Sequence, residues 1–123
     1  MFAALWVACG SSPAPAGPPV VVVDAHRMVK EGAPSHATEV VVMGSGPRID
    51  VVIEDLVHYC APPPSFTVTP LGEVLEVTVV RPQGVSRCFG AYHVELHVEP
   101  VGEVNKLLLR SAEGRVLANV AIP

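Results

Sequence analysis

Large aromatic side chains are scarce in this chain. Trp, Tyr and Phe make up only 5% of its 123 residues, although half the residues are apolar. Positive charge is scarce too. The eight basic residues (Arg27, Lys30, Arg48, Arg81, Arg87, Lys106, Arg110 and Arg115) are scattered, and the net charge is −4. Without a basic run or an aromatic-interleaved basic patch, nucleic-acid binding is excluded as an expectation. No apolar stretch approaches the roughly 20 residues of a membrane-spanning helix. Catalytic signatures are missing as well. No P-loop, dinucleotide fingerprint or paired carboxylates occur, and Ser45 in Gly44-Ser45-Gly46 lacks the glycines two places away that a nucleophile elbow needs. The run His93-Val94-Glu95-Leu96-His97 is not His-Glu-x-x-His, because its Glu is misplaced and its period is two rather than 3.6. A non-enzymatic protein without a cofactor is the expectation.

What fills the gap is valine. Its stiff, β-branched side chain suits a pleated and half-buried surface. Thirteen prolines and ten glycines cut the chain into short pieces, leaving no long helical period. One all-β domain is therefore expected, with a core of modest size.

Taken in order, Val20 to Asp24 reads as a first strand, and Asp24 to Gly32 as either a short helix or a loop. Thr38 to Met43 is a second strand, followed by a turn at Gly44-Ser45-Gly46-Pro47. Arg48 to Tyr59 places Ile49, Val51 and Ile53 on one face against Asp50, Val52 and Glu54, and its alternation changes phase near Asp55, which predicts a bulge. Pro62-Pro63-Pro64 forbids ladder hydrogen bonds and forces a rigid crossing. Phe66 to Thr69 and Glu73 to Arg81 are short strands joined through Pro70-Leu71-Gly72, and Arg81-Pro82-Gln83-Gly84 is a turn. Tyr92 to Glu99 alternates most cleanly, with Tyr92, Val94, Leu96 and Val98 facing in and His93, Glu95, His97 and Glu99 facing out. After a turn at Pro100-Val101-Gly102, Val104 to Arg110 and Arg115 to Ile122 form a last hairpin across Glu113-Gly114. Seven or eight short strands with turns about every ten residues indicate an antiparallel sandwich or barrel.

Three cysteines are an odd number. The natural split leaves Cys9 a job of its own and pairs Cys60 with Cys88, which enclose residues 61–87. In an oxidising compartment that pair forms a disulfide, contributing about 3–4 kcal/mol by constraining the unfolded chain. The competing uses of these residues are less favoured. His58 shares a strand face with Cys60 but supplies no electropositive pocket to activate a thiol. His58, Cys60, Cys88 and His93 match no tight zinc knuckle. His93 and His97 lie about 13 Å apart on one strand, too far for a single ion unless a neighbouring strand contributes. A weak metal site drawing on His58, His93 and His97 is the metal alternative.

The N-terminal run Met1–Gly10 (MFAALWVACG) is apolar and ends in small residues and a cysteine, and Trp6-Val7-Ala8-Cys9 resembles a bacterial lipobox. It departs from that family in having Trp6 where leucine is usual, and in lacking the positive residues that normally come first, which suggests a truncated or misassigned start. Gly10–Pro19 (GSSPAPAGPP) cannot pack a core and is stiffened by proline, as a tether would be. With Cys60, Cys88 and the aromatic Tyr92 that follows, the whole pattern resembles small cysteine-bearing β-sandwich lipoproteins of Gram-negative bacteria. Those relatives often carry Cys-x-Cys at the second site, whereas this chain has Cys88-Phe89-Gly90. The resemblance implies an immunoglobulin-like sandwich at the cell envelope and no specific activity. It divides the chain into a signal segment (1–8), a tether (9–19) and one sandwich domain (20–123), with Cys9 carrying lipid. Gly10 after Cys9, with no Asp, resembles an outer-membrane sorting signal, facing periplasm or surface. The expected partners are the membrane, through the lipid, and another envelope protein. The alternative is a secreted binding module or inhibitor presenting Ala61–Ser65 or Pro82–Arg87. Exposed prolines at 62–64 favour that module, and buried ones favour plain scaffolding.

Overall fold

The computed structural model describes residues 18–44, 47–84, 87–99 and 102–123. Cys9, the signal segment and most of the tether lie outside them, as do Ser45, Gly46, Val85, Ser86, Pro100 and Val101 of the expected turns and loops.

The described residues form eight strands and no helix. They are β1 (Val20–Glu31), β2 (Glu39–Met43), β3 (Ile49–Tyr59), β4 (Phe66–Leu71), β5 (Val74–Val79), β6 (Phe89–Glu99), β7 (Lys106–Arg110) and β8 (Val116–Ala121). Two four-stranded sheets result, ordered β1-β6-β3-β2 and β4-β5-β7-β8. The all-β sandwich expected from valine content and turn spacing is what the chain builds. It is not antiparallel throughout, because β5 and β7 run parallel. The chain leaves the second sheet after β5, crosses to the first as β6, and returns as β7. One intervening strand reverses the chain twice, so β7 runs in the same direction as β5.

Period-two alternation fills the space between the sheets. Ile49, Val51, Ile53 and Leu56 of β3 and Tyr92, Val94, Leu96 and Val98 of β6 are buried against Leu75, Val77 and Val79 of β5 and Leu107 and Leu109 of β7. Phe66 and Tyr92 are the aromatic members of this core cluster, so its layers are built from branched aliphatic side chains. Each one fully buried is worth roughly 1.5–3 kcal/mol of transfer free energy.

The segment left open between helix and loop, Asp24–Gly32, is neither. It continues β1 as far as Glu31, with register shifts between Val23 and Ala25 and between Met28 and Lys30. These bulges erase the alternation that would have marked a strand. The bulge expected near Asp55 is present, with a register shift between Ile53 and Leu56. β4 and β5 join through Gly72 and Glu73. Gly72 sits at φ 62, a left-handed conformation that suits this tight turn.

Cys60 and Cys88 form a disulfide. It lies at one end of the sandwich, where Cys60 N–H also donates to the Cys88 carbonyl at 3.0 Å.

Candidate functional site

At the disulfide end, β3 outruns its edge partner. β2 pairs with it only over Asp50–Glu54 and stops there. Asp55 then takes a φ of 57, a left-handed conformation that aspartate tolerates better than most residues. Thr38 Oγ1 donates to the Asp55 carbonyl at 2.9 Å, which holds the approach to β2 at the bulge. Beyond it, Leu56–Tyr59 pairs with Tyr92–Phe89 of β6 on one side. On its other side the sheet has no strand among the described residues.

Beside this bare edge lies a cleft of about 350 Å³, within the usual size range of ligand sites. One wall is Leu56–Tyr59 with Phe89. The other is the end of the second sheet: Val79 at the end of β5, Arg81 and Pro82 just after it, and Ser111, Ala112, Glu113, Arg115 and Leu117 around the β7–β8 turn. Polar groups sit among these apolar ones. His58, 6% exposed, has Nε2 at 3.1 Å from the Pro62 carbonyl. Burial pushes its pKa down, and the bond to Pro62 only partly offsets this. The ring is therefore neutral. Because a carbonyl only accepts, Nε2 carries the proton and Nδ1 keeps a lone pair. Ser111 is also buried, and its Oγ accepts the Arg115 backbone N–H at 3.1 Å. Arg81 lies 3.6 Å from Glu113 at the mouth.

Tyr92 secures the rim. Its ring meets His58 edge-on, and its hydroxyl donates to the Tyr59 carbonyl at 3.0 Å, with the Cys60 carbonyl at 3.2 Å. Burial raises the pKa of that hydroxyl. Tyr92→Phe is expected to lower stability by about 1–2 kcal/mol, since two rim carbonyls lose their donor. A urea melt of the two proteins measures it.

The loops singled out in the sequence flank this end. Ala61, Pro62, Pro63 and Ser65 are exposed, whereas Pro64 is buried. Of Pro82–Arg87, Pro82 lines the cleft. Val57, Tyr59 and Phe89 are 49%, 38% and 43% exposed. Tyr59 faces Phe89 across the ladder, and Val57 shares their face two residues away.

The histidines do not converge. His58 is inside at the cleft, whereas His93 and His97 lie on the outer face of the first sheet. His93 sits between two carboxylates, with Nδ1 2.8 Å from Glu54 and Nε2 2.8 Å from Glu95. His97 Nδ1 lies 2.8 Å from Asp24. Although it faces outward, His97 is nearly buried. Among the described residues no group of three or more His, Cys, Asp or Glu is arranged to hold a metal ion.

Donating from both nitrogens requires His93 to be protonated. Its pKa is raised, first by the bond to Glu95 and then by that to Glu54. The folded state therefore binds this proton more tightly than the unfolded chain. The stabilisation is complete below the ordinary histidine value of about 6.5 and is lost as pH rises through the folded value. Because the carboxylates are half-exposed, the effect stays below about 1 kcal/mol. The difference in urea midpoint between the natural chain and His93→Gln should be larger at about pH 5.5 than at about pH 8.5. An equal difference at both would show that the pair contributes nothing through its charge.

Sequence reasoning reached His58 but missed Val57, Arg81, Ser111 and Arg115. They come from three separate stretches, the end of β3, the segment after β5 and the β7–β8 turn that holds both Ser111 and Arg115. The three meet only through the sheet order, so no local spacing could have grouped them. Comparison with protein-family models, curated proteins and solved structures found no match.

Proposed function

We propose that this chain is a non-enzymatic binding module of the cell envelope, held at the membrane by lipid on Cys9 and engaging another envelope protein through its disulfide-bearing end. The observation that carries the reading is the surface around the cleft. Val57, Tyr59 and Phe89 are exposed together, beside Pro62 and Pro63, whose loop is anchored by buried Pro64 and by the His58–Pro62 bond. Aromatic side chains on a rigid support are the usual anchors of protein recognition, because little entropy is lost when they dock. The prolines divide, with Pro62 and Pro63 exposed and Pro64 buried. The exposed pair supports presentation of this end to a partner by an anchored or a secreted module alike, and the buried one serves the scaffold. The lipobox-like Trp6-Val7-Ala8-Cys9 and the tether after it support the envelope placement.

Two measurements test the two halves. Metabolic labelling with an alkynyl fatty acid should mark the natural chain and not Cys9→Ala, and only the natural chain should sediment with membranes. A secreted module would show neither behaviour. Photo-crosslinkers placed at Tyr59 and Phe89 in the envelope should give one discrete adduct, while one at Thr67 on β4 should give none. Equal adducts at all three positions would remove the disulfide end as the binding face.

A further inference from the structure

The ladder that ends at the disulfide fixes where the backbone of β3 points. Residues of antiparallel strands alternate between hydrogen-bonded and non-hydrogen-bonded pairs. Cys60 N–H donates to the Cys88 carbonyl, and Gly32 N–H donates to the Phe89 carbonyl at 2.8 Å. Phe89 therefore spends its carbonyl on the β1 side, and its pair with Tyr59 is the non-bonded kind. The same parity holds two residues on, at Val57 and Ala91. Val57 and Tyr59 thus direct their backbone groups away from β6, into the cleft. The Tyr59 carbonyl is taken by Tyr92. Val57 N–H and Tyr59 N–H donate to no described residue, and Val57 C=O accepts from none.

We propose that this edge takes one added β-strand: an extended peptide segment that pairs with Val57–Tyr59 inside the cleft and sets a carboxylate, terminal or from an acidic side chain, against Arg115. Three observations meet here. The edge offers two donors and one acceptor at strand spacing, as strand addition requires. The space beside it is a cavity of about 350 Å³, whose facing wall carries apolar Leu117 as well as polar residues. Charge selects the occupant. The chain is −4 overall, yet the cleft mouth carries Arg81, Arg115 and only Glu113 against them. Arg81 is paired with Glu113, and the Arg115 guanidinium makes no ion pair with a described residue. A guanidinium matches a carboxylate in two parallel hydrogen bonds. On the floor, Ser111 keeps a hydroxyl proton and His58 Nδ1 a lone pair, one donor and one acceptor for the peptide's own polar groups. The proposal deepens the binding-module reading and rests on it.

Amide hydrogen exchange on the oxidised full chain tests the edge first. Val57 and Tyr59 should exchange far faster than Leu56 and His58, whose amides bond to β6. Equal protection of all four would mean that the edge is already covered, and strand addition would fall while the binding-module reading stood. The probe for the occupant is a library of short peptides with free C-terminal carboxylates, selected against the same protein. Selected peptides should carry an acidic group, protect Val57 and Tyr59 from exchange, and lose about tenfold in affinity on Arg115→Gln. N-methylation of the peptide residues facing β3 should weaken them at least as much, whereas methylating the alternate residues should not. Binders that leave Val57 and Tyr59 unprotected would overturn strand addition and keep the module. A library with no binder, or a cleft that takes only small carboxylates such as octanoate, would overturn the peptide as occupant.

Discussion

Replacing Cys60 and Cys88 together by alanine is expected to lower the stability of the folded domain by about 3.5 kcal/mol. The two cysteines are 28 residues apart, and the chain-entropy cost of closing a loop of that length gives this figure. For a domain of about 100 residues each kcal/mol moves Tm by roughly 4–8 °C, so the midpoint should fall on the order of 15–25 °C. The core explains why the effect matters. It is built from valine, leucine and isoleucine with little aromatic area, so a loss of this size is a large part of a typical domain stability of about 5–15 kcal/mol. Urea unfolding separates the mechanism from simple damage. If the bond acts by restraining the unfolded chain, its removal should raise the denaturant slope, because the unlinked chain exposes more surface. A loss below about 1 kcal/mol with an unchanged slope would show that the staple does not act on the unfolded chain. The consequence for the cleft is direct. Cys60 closes the strand whose edge forms one wall, so crosslinking at Tyr59 should weaken in the same variant.

The sandwich was readable because its central strands face one way at a time. β6 and β3 each have a core side and an outer side, and a two-residue period records this in the sequence. β1 was not readable past Asp24 because it carries two bulges and lies at an edge, where Ala25, His26 and Arg27 are all exposed. His97 is the other kind of exception. It faces outward as its spacing requires, yet the bulged Asp24 closes over it and joins it by a hydrogen bond. The parallel pairing of β5 and β7 is a matter of neighbours, which local patterning does not encode. The same reason hides the cleft. The phase change at Asp55 was legible, but its consequence, an edge left bare after β2 stops, depends on which strand lies beside β3. The cysteine pair needed only residue chemistry and the count of three, and so it was accessible from the start.

Gly90→Ala is expected to destabilise the domain by about 2–3 kcal/mol, even though glycine is normally a poor strand residue. Replacing glycine by alanine usually stabilises by about 0.4–1 kcal/mol where the backbone permits it, through loss of unfolded-state freedom. Here a Cβ would stand 2.5 Å from the Lys30 carbonyl oxygen and 2.8 Å from Met28 Sδ. The methionine can move aside, because its side chain is unbranched and adaptable. The carbonyl is backbone, and it is brought close by the bulge between Met28 and Lys30. Admitting the methyl group therefore means displacing β1, and the steric term exceeds the entropic gain. A double-mutant cycle decides which contact governs the outcome. If Met28 were the obstacle, Gly90→Ala on a Met28→Ala background would be harmless or stabilising. If the Lys30 carbonyl is, most of the loss should persist on that background, and the amides of residues 28–31 should exchange faster. Gly90 also pairs with His58 across the ladder, so this close approach fixes β1, β6 and β3 in a single arrangement beside the cleft. The displaced β1 should therefore loosen the Gly32–Phe89 hydrogen bond and, with it, the parity that turns the backbone groups of Val57 and Tyr59 away from β6 and toward the cleft.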